Sequence, residues 1–85
     1  MTKGVARVDR DSAGGQLLIR GSTDVFIDGQ GAVTADDSTN ASGVIVIAGS
    51  TTVFVNDKPL ARESDGLADG QLIESASTTV FCNNT

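Results

Sequence analysis

The 85-residue sequence predicts a small, all-β, pseudo-threefold domain made of three consecutive units of short strands. Three observations predict it. The phrase "GSTDVFIDG" at 21–29 returns as "GSTTVFVND" at 49–57 and as "ASTTVFCNN" at 76–84. No window sustains apolar spacing of three and four over the ~10–12 residues that a helix requires. Clusters of Asp, Gly, Ser and Asn end every apolar run after about four to six residues, which is turn chemistry.

The units run 3–29, 30–57 and 58–84, inside one domain spanning 1–85. In the first, "VARV", "GQLLI" and "DVFID" read as strands separated by "DSAGG" and "RGST". The second repeats the scheme as "AVTA", "GVIVIA" and "TVFVN", and the third as "LAR", "GQLIES" and "TVFCN". Ordinary copies at both ends, with no polar cap, favour a closed arrangement over an open solenoid. Closure also removes exposed strand edges. Phe26, Phe54 and Phe81 fall in register and are assigned to the core, because apolar neighbours on both faces imply strands covered on both sides. Cys82 takes the slot of Ile27 and Val55 and is expected to behave as a small buried apolar residue.

Composition excludes several functions. A net charge of −5, with six scattered basic residues, excludes nucleic acid as a partner. Three Phe with no Trp or Tyr cannot build stacking platforms. Without His, the commonest general base is missing, and a domain this thin has no room for a buried catalytic pocket. The protein is expected not to be an enzyme. One cysteine forms no internal disulfide, so a partner or a regular β framework must supplement a thin core. No apolar run reaches the ~18–20 residues of a membrane span. "MTKGVARVDRD" has no apolar h-region, so synthesis in the cytoplasm without a signal peptide is expected.

One tetrapeptide slot opens each unit: "GVAR" at 4–7, "GAVT" at 31–34 and "PLAR" at 59–62. With the "TVF-apolar-Asn" phrase, these cover essentially the whole chain, which resembles the PAAR-repeat family. Arg7, Pro59 and Arg62 are the residues that match the family motif. The resemblance implies a conical, non-enzymatic tip of a phage tail, type VI secretion spike or other contractile injection machine. One copy would cap the blunt end of a trimeric β-helical spike, and its apex would contact the target membrane transiently. The expected location is a virion tail tip or an assembled injection particle.

Two departures stand out. The turns that hold zinc in the family read "DSAGG", "STNASG" and "GLADG", without His or Cys. The zinc is therefore not carried over, and no metal or other cofactor is expected. The remaining route to an ion is convergence of Asp11, Asp37, Asp65 and Asp69 on calcium, which prefers oxygen ligands. Thr34 also replaces the motif arginine, so the threefold contact is expected to be incomplete in the middle unit.

Two sets of turns are candidates for the spike-facing rim. One holds the hydroxyl pairs Ser22-Thr23, Ser50-Thr51 and Ser77-Thr78. The other holds Asp28, Asn56, Asp57, Asn83 and Asn84. The hydroxyls also suit local turn stabilisation, and the sequence leaves open which set faces a partner. The alternative reading of the chain is a self-assembling or adhesive repetitive β module.

Overall fold

A computed structural model describes residues 2–83, which form eight strands of two or three residues and no helix. They are β1 (Thr2–Gly4), β2 (Ser12–Ala13), β3 (Gln16–Leu17), β4 (Phe26–Ile27), β5 (Gln30–Gly31), β6 (Phe54–Val55), β7 (Lys58–Pro59) and β8 (Phe81–Asn83). The all-β class expected from the repeated phrases is the class observed.

The strands pair in antiparallel couples. β4 meets β5 with Phe26 opposite Gly31 and Ile27 opposite Gln30. Asp28 and Gly29 turn between them, with φ of 53° and 82°. Two successive positive φ values make a type I′ turn, whose twist suits a hairpin and whose second residue favours glycine. β6 and β7 repeat this around Asn56 and Asp57, at φ 53° and 67°. β1 and β8 repeat it once more, with Gly4 opposite Phe81 and Lys3 opposite Cys82. The junction between chain start and chain end is thus the same hairpin, opened at its turn.

Two cyclic sets of contacts join the units. At the centre, the Ala6 N–H donates to Ala61 O at 3.1 Å, Val33 N–H to Ala6 O at 3.1 Å, and Ala61 N–H to Val33 O at 2.9 Å. Flanking bridges link Val5 with Arg62, Arg7 with Ala32, and Thr34 with Leu60. A second ring joins the hairpin β2–β3 to two others, bridged internally at Thr39–Ile45 and Gly66–Leu72. Its inter-hairpin bridges are Ala13–Ile73, Leu18–Asn40 and Val46–Leu67. Each unit therefore contacts both others through corresponding positions, and the backbone pairing closes on itself.

Two apolar clusters fill this frame. The first holds Ala6, Ala13, Leu18, Val33, Val46, Ala61, Leu67 and Ile73. Leu18, Val46 and Ile73 occupy equivalent places at 0–1% exposure, and each contributes roughly 1.5–3 kcal/mol by burial. The second cluster holds Val5, Ala32, Val55 and Leu60, with Ile27, Val53, Val80 and Cys82 packed partly buried against it.

Phe26, Phe54 and Phe81 do not belong to either cluster. They are 59%, 55% and 52% exposed, which corrects their assignment to the core. The reason is alternation: Ile27, Val55 and Cys82, one residue on, turn inward against the second cluster, so each Phe must turn outward. These strands are covered on one face only. Cys82 is half-buried there, and desolvation pushes its thiol pKa up.

Candidate functional site

The loops that precede β4, β6 and β8 share one construction. Ser22 Oγ accepts the N–H groups of Asp24 and Val25, at 3.2 and 2.9 Å. Ser50 Oγ accepts those of Thr52 and Val53, at 3.1 and 2.9 Å. Ser77 Oγ accepts those of Thr79 and Val80, at 3.1 and 2.8 Å. A serine hydroxyl closing its own loop in this way sets the direction in which the next strand leaves. Thr23, Thr51 and Thr78 sit beside these serines and are exposed.

Each serine loop is also latched to the end of another unit. Asp28 Oδ2 accepts a hydrogen bond from Ser77 Oγ at 2.6 Å, and Thr79 Oγ1 donates to Asp28 Oδ1 at 3.0 Å. Arg7 Nη1 reaches the same carboxylate at 3.1 Å. Asn56 Nδ2 donates to Ser22 Oγ at 3.1 Å and Asp24 Oδ1 at 2.9 Å. Ser50 Oγ donates to Asn83 Oδ1. The Ser77 and Thr79 hydroxyls, with help from Arg7, hold the Asp28 carboxyl below the usual aspartate range. The Asn56 amide and then Ser22 do the same for Asp24. Thus the two candidate turn sets bond to each other around the ring. Asp57 is exposed beside Asn56, and Asn84 lies outside the described residues.

The motif arginines face inward. Arg7 grips Asp11 through Nε to Oδ2 at 2.8 Å and Nη2 to Oδ1 at 3.0 Å, while the Arg7 N–H donates to Oδ2 at 2.8 Å. Arg62 grips Asp65 the same way, at 2.9 and 3.0 Å, with its N–H at 2.7 Å. Arg62 Nη1 also donates to Asn83 O at 2.7 Å, tying the fork to the end of its own unit. The paired carboxylates raise both guanidinium pKa values, first through hydrogen bonding. In the middle unit the Thr34 N–H donates to Ser38 Oγ at 2.9 Å. The backbone acceptor is kept there, but among the described residues Thr34 has no counterpart of the bonds from Arg7 to Asp28 and from Arg62 to Asn83, so the threefold contact is incomplete in the middle unit. Pro59 is half-buried in β7 opposite Phe54.

Sequence reading missed Asp24 and Thr79 as latch partners, and Asp11 and Asp65 as partners of the motif arginines. The second signal was present in shifted form: Arg…Asp, Thr…Ser and Arg…Asp recur at spacings of four, four and three residues.

The family's ion does not fit this chain. Among the described residues, no group of three His, Cys, Asp or Glu side chains is placed to hold a metal. Asp11 and Asp65 are committed to arginine forks, and Asp69 Oδ1 accepts the Gln71 N–H at 3.0 Å. The convergence of Asp11, Asp37, Asp65 and Asp69 that calcium requires is therefore not formed. In the corresponding turns, Ala13 and Leu67 pack into the first apolar cluster, and Asn40 Oδ1 accepts the N–H groups of Ser42 and Val44. A solvent-open groove of about 440 Å³, lined in part by Val8, Ile19, Gly21 and Phe26, carries Asp9 and Arg20 as its charged members.

A closed ring of three strand-and-hairpin units, latched by hydroxyl and carboxamide groups at its junctions, defines a small all-β threefold module. The PAAR motif model matches residues 7–73, most of the chain, and the chain belongs to the PAAR motif family. That motif is associated with spike-tip proteins of contractile injection systems. No curated protein matches the chain closely enough to count as a relative.

Proposed function

We propose that this protein is a non-enzymatic tip that caps the blunt end of a trimeric β-helical spike and leads its entry into a target membrane. One copy serves three spike chains. The observation that carries this reading is the cyclic contact pattern: Ala6, Val33 and Ala61 close a ring of backbone hydrogen bonds. Three corresponding corners on one chain let a monomer meet three identical strand ends at once. No chemistry is required of it. A compact β body sealing the strand ends would suppress edge-to-edge pairing of the spike and transmit force onto a small area. Its place is the tip of an assembled tail or injection particle.

Native mass spectrometry of this chain with the C-terminal β-helical fragment of the trimeric spike from the same machine tests the reading. The expected species is one copy bound to three spike chains, carrying no zinc or calcium. Self-trimers or longer oligomers of this chain, with no spike complex, would favour the self-assembling module instead.

A further inference from the structure

The outward side of β4, β6 and β8 is an open strand edge in each unit. Each of these strands has one partner: β5, β7 and β1, respectively. In an antiparallel pair, alternate residues turn their N–H and C=O groups toward the partner strand. Here the bonded positions are Val25 with Ala32, Val53 with Leu60 and Val80 with Val5, at 3.0, 3.0 and 3.1 Å. The next pairs, Phe26–Gly31, Phe54–Pro59 and Phe81–Gly4, are therefore the non-bonded ones.

The opposite strand gives the same assignment. The carbonyls of Gly31, Pro59 and Gly4 accept from the N–H groups of Val8, Ala35 and Glu63 at 2.9, 2.8 and 2.9 Å, away from the Phe strands. Proline is tolerated at position 59 because no N–H is needed toward β6 there. The N–H and C=O of Phe26, Phe54 and Phe81 consequently face outward. Among the described residues, none of these groups bonds outside its own hairpin. The three side chains beside them are more than half exposed.

We propose that these edges are three strand-addition sites, each taking one extended segment of a threefold-symmetric β partner through the backbone of Phe26, Phe54 or Phe81. This rests on the capping reading and names the contact. Two features select such a partner. An edge of two or three residues presents little beyond the outward N–H and C=O of its Phe, so one site alone holds a peptide weakly. Three sites engaged together by one rigid partner gain through effective concentration. The units agree at these positions, as they do at the exposed Thr23, Thr51 and Thr78 and at the exposed apolar Leu17, Ile45 and Leu72, and differ at others. The outward residue of the hairpin return is Ile19, Ile47 or Glu74, whereas the edge residue is Phe in every unit. A partner that meets all three units alike uses what they share.

Amide hydrogen exchange on the spike complex tests this. The amides of Phe26, Phe54 and Phe81 exchange freely in the isolated chain and slow by roughly tenfold or more in the one-to-three complex. A one-to-three complex in which these amides exchange as fast as in the free chain overturns the edge assignment and leaves the capping reading standing. No complex at all overturns both. A paired substitution sharpens the result: Phe54→Pro removes the N–H, whereas Phe54→Ala keeps it. Provided both variants retain the free chain's exchange pattern elsewhere, F54P binds the spike fragment more weakly than F54A. Equal binding of F54P and F54A would show that the residue 54 N–H makes no bond to the spike and would overturn the edge assignment at that site.

Discussion

The outer units, 3–29 and 58–84, tie their inner strand to the following turn with an arginine–aspartate fork, whereas the middle unit uses Thr34 and Ser38. The backbone requirement is the same in all three. The N–H of residue 7, 34 or 62 needs an acceptor, supplied at 2.8, 2.9 or 2.7 Å by Asp11, Ser38 or Asp65. All three acceptors are buried, at 1%, 0% and 5% exposure. A buried carboxylate must be neutralised, and a bidentate guanidinium does this well. A buried hydroxyl carries no charge and needs no arginine. The comparison teaches that the acid serves the backbone and the motif arginine neutralises the acid, while its remaining N–H groups tie the inner strand to the end of its own unit.

The strongest way to break this comparison is to remove one member of a fork. Arg62→Thr leaves Asp65 charged and buried, and is expected to cost ~3–5 kcal/mol in urea unfolding. Adding Asp65→Ser restores the uncharged pairing of the middle unit and should recover the part of that loss that comes from the unpaired buried charge. A double variant as unstable as the single would show that the arginine contributes independently of its acid.

The converse substitution should have a smaller effect. Ser38→Asp places a carboxylate in the middle unit without a guanidinium, at an expected cost of about 2–3 kcal/mol. Thr34→Arg in the same chain should restore stability. If it does not, the middle unit differs from its neighbours in space as well as in charge.

A milder contrast lies in the turns. Gly29 and Asp57 hold corresponding left-handed positions at φ 82° and 67°. Asp57→Gly relieves a side chain from that region and should stabilise by up to about 1 kcal/mol, read as a higher melting temperature. Gly29→Asp should do the reverse.

The smallest effect concerns the latches at acid pH. Asp24 and Asp28 have folded pKa values lowered by their hydrogen-bond partners. Each therefore contributes stability that is complete above the unfolded aspartate pKa of about 4 and is lost as pH falls through the lower folded value. Asp28→Asn should flatten the melting-temperature profile below about pH 4. An unchanged acid profile would mean that the Asp28 latch does not hold in solution.

Much of this architecture is legible in the sequence. Three copies of one strand phrase, without helical spacing, set the all-β class. Asp28-Gly29 marks a turn in the sequence, but the pairing of β4 with β5 across it is shown only by the structure. The fork partners were half-readable, since Asp11, Ser38 and Asp65 vary together with Arg7, Thr34 and Arg62. The Phe positions were misread for a definite reason. Period-two alternation states that Phe26 and Ile27 point to opposite faces, but not which face is covered. Both faces carried apolar residues, so the pattern was equally consistent with either orientation.

The linear order of residues was thus sufficient for local matters, because strand phrases, turn dipeptides and charge pairing act over a few residues. Folding alone decided what depends on distant segments. Val5, Ala32 and Leu60 meet in the second cluster and draw Ile27 and Val55 inward, which sends the phenylalanines out. Ser77 meets Asp28 across 49 residues of chain. Such contacts follow from closure of the ring, and no short window of sequence contains both sides of one.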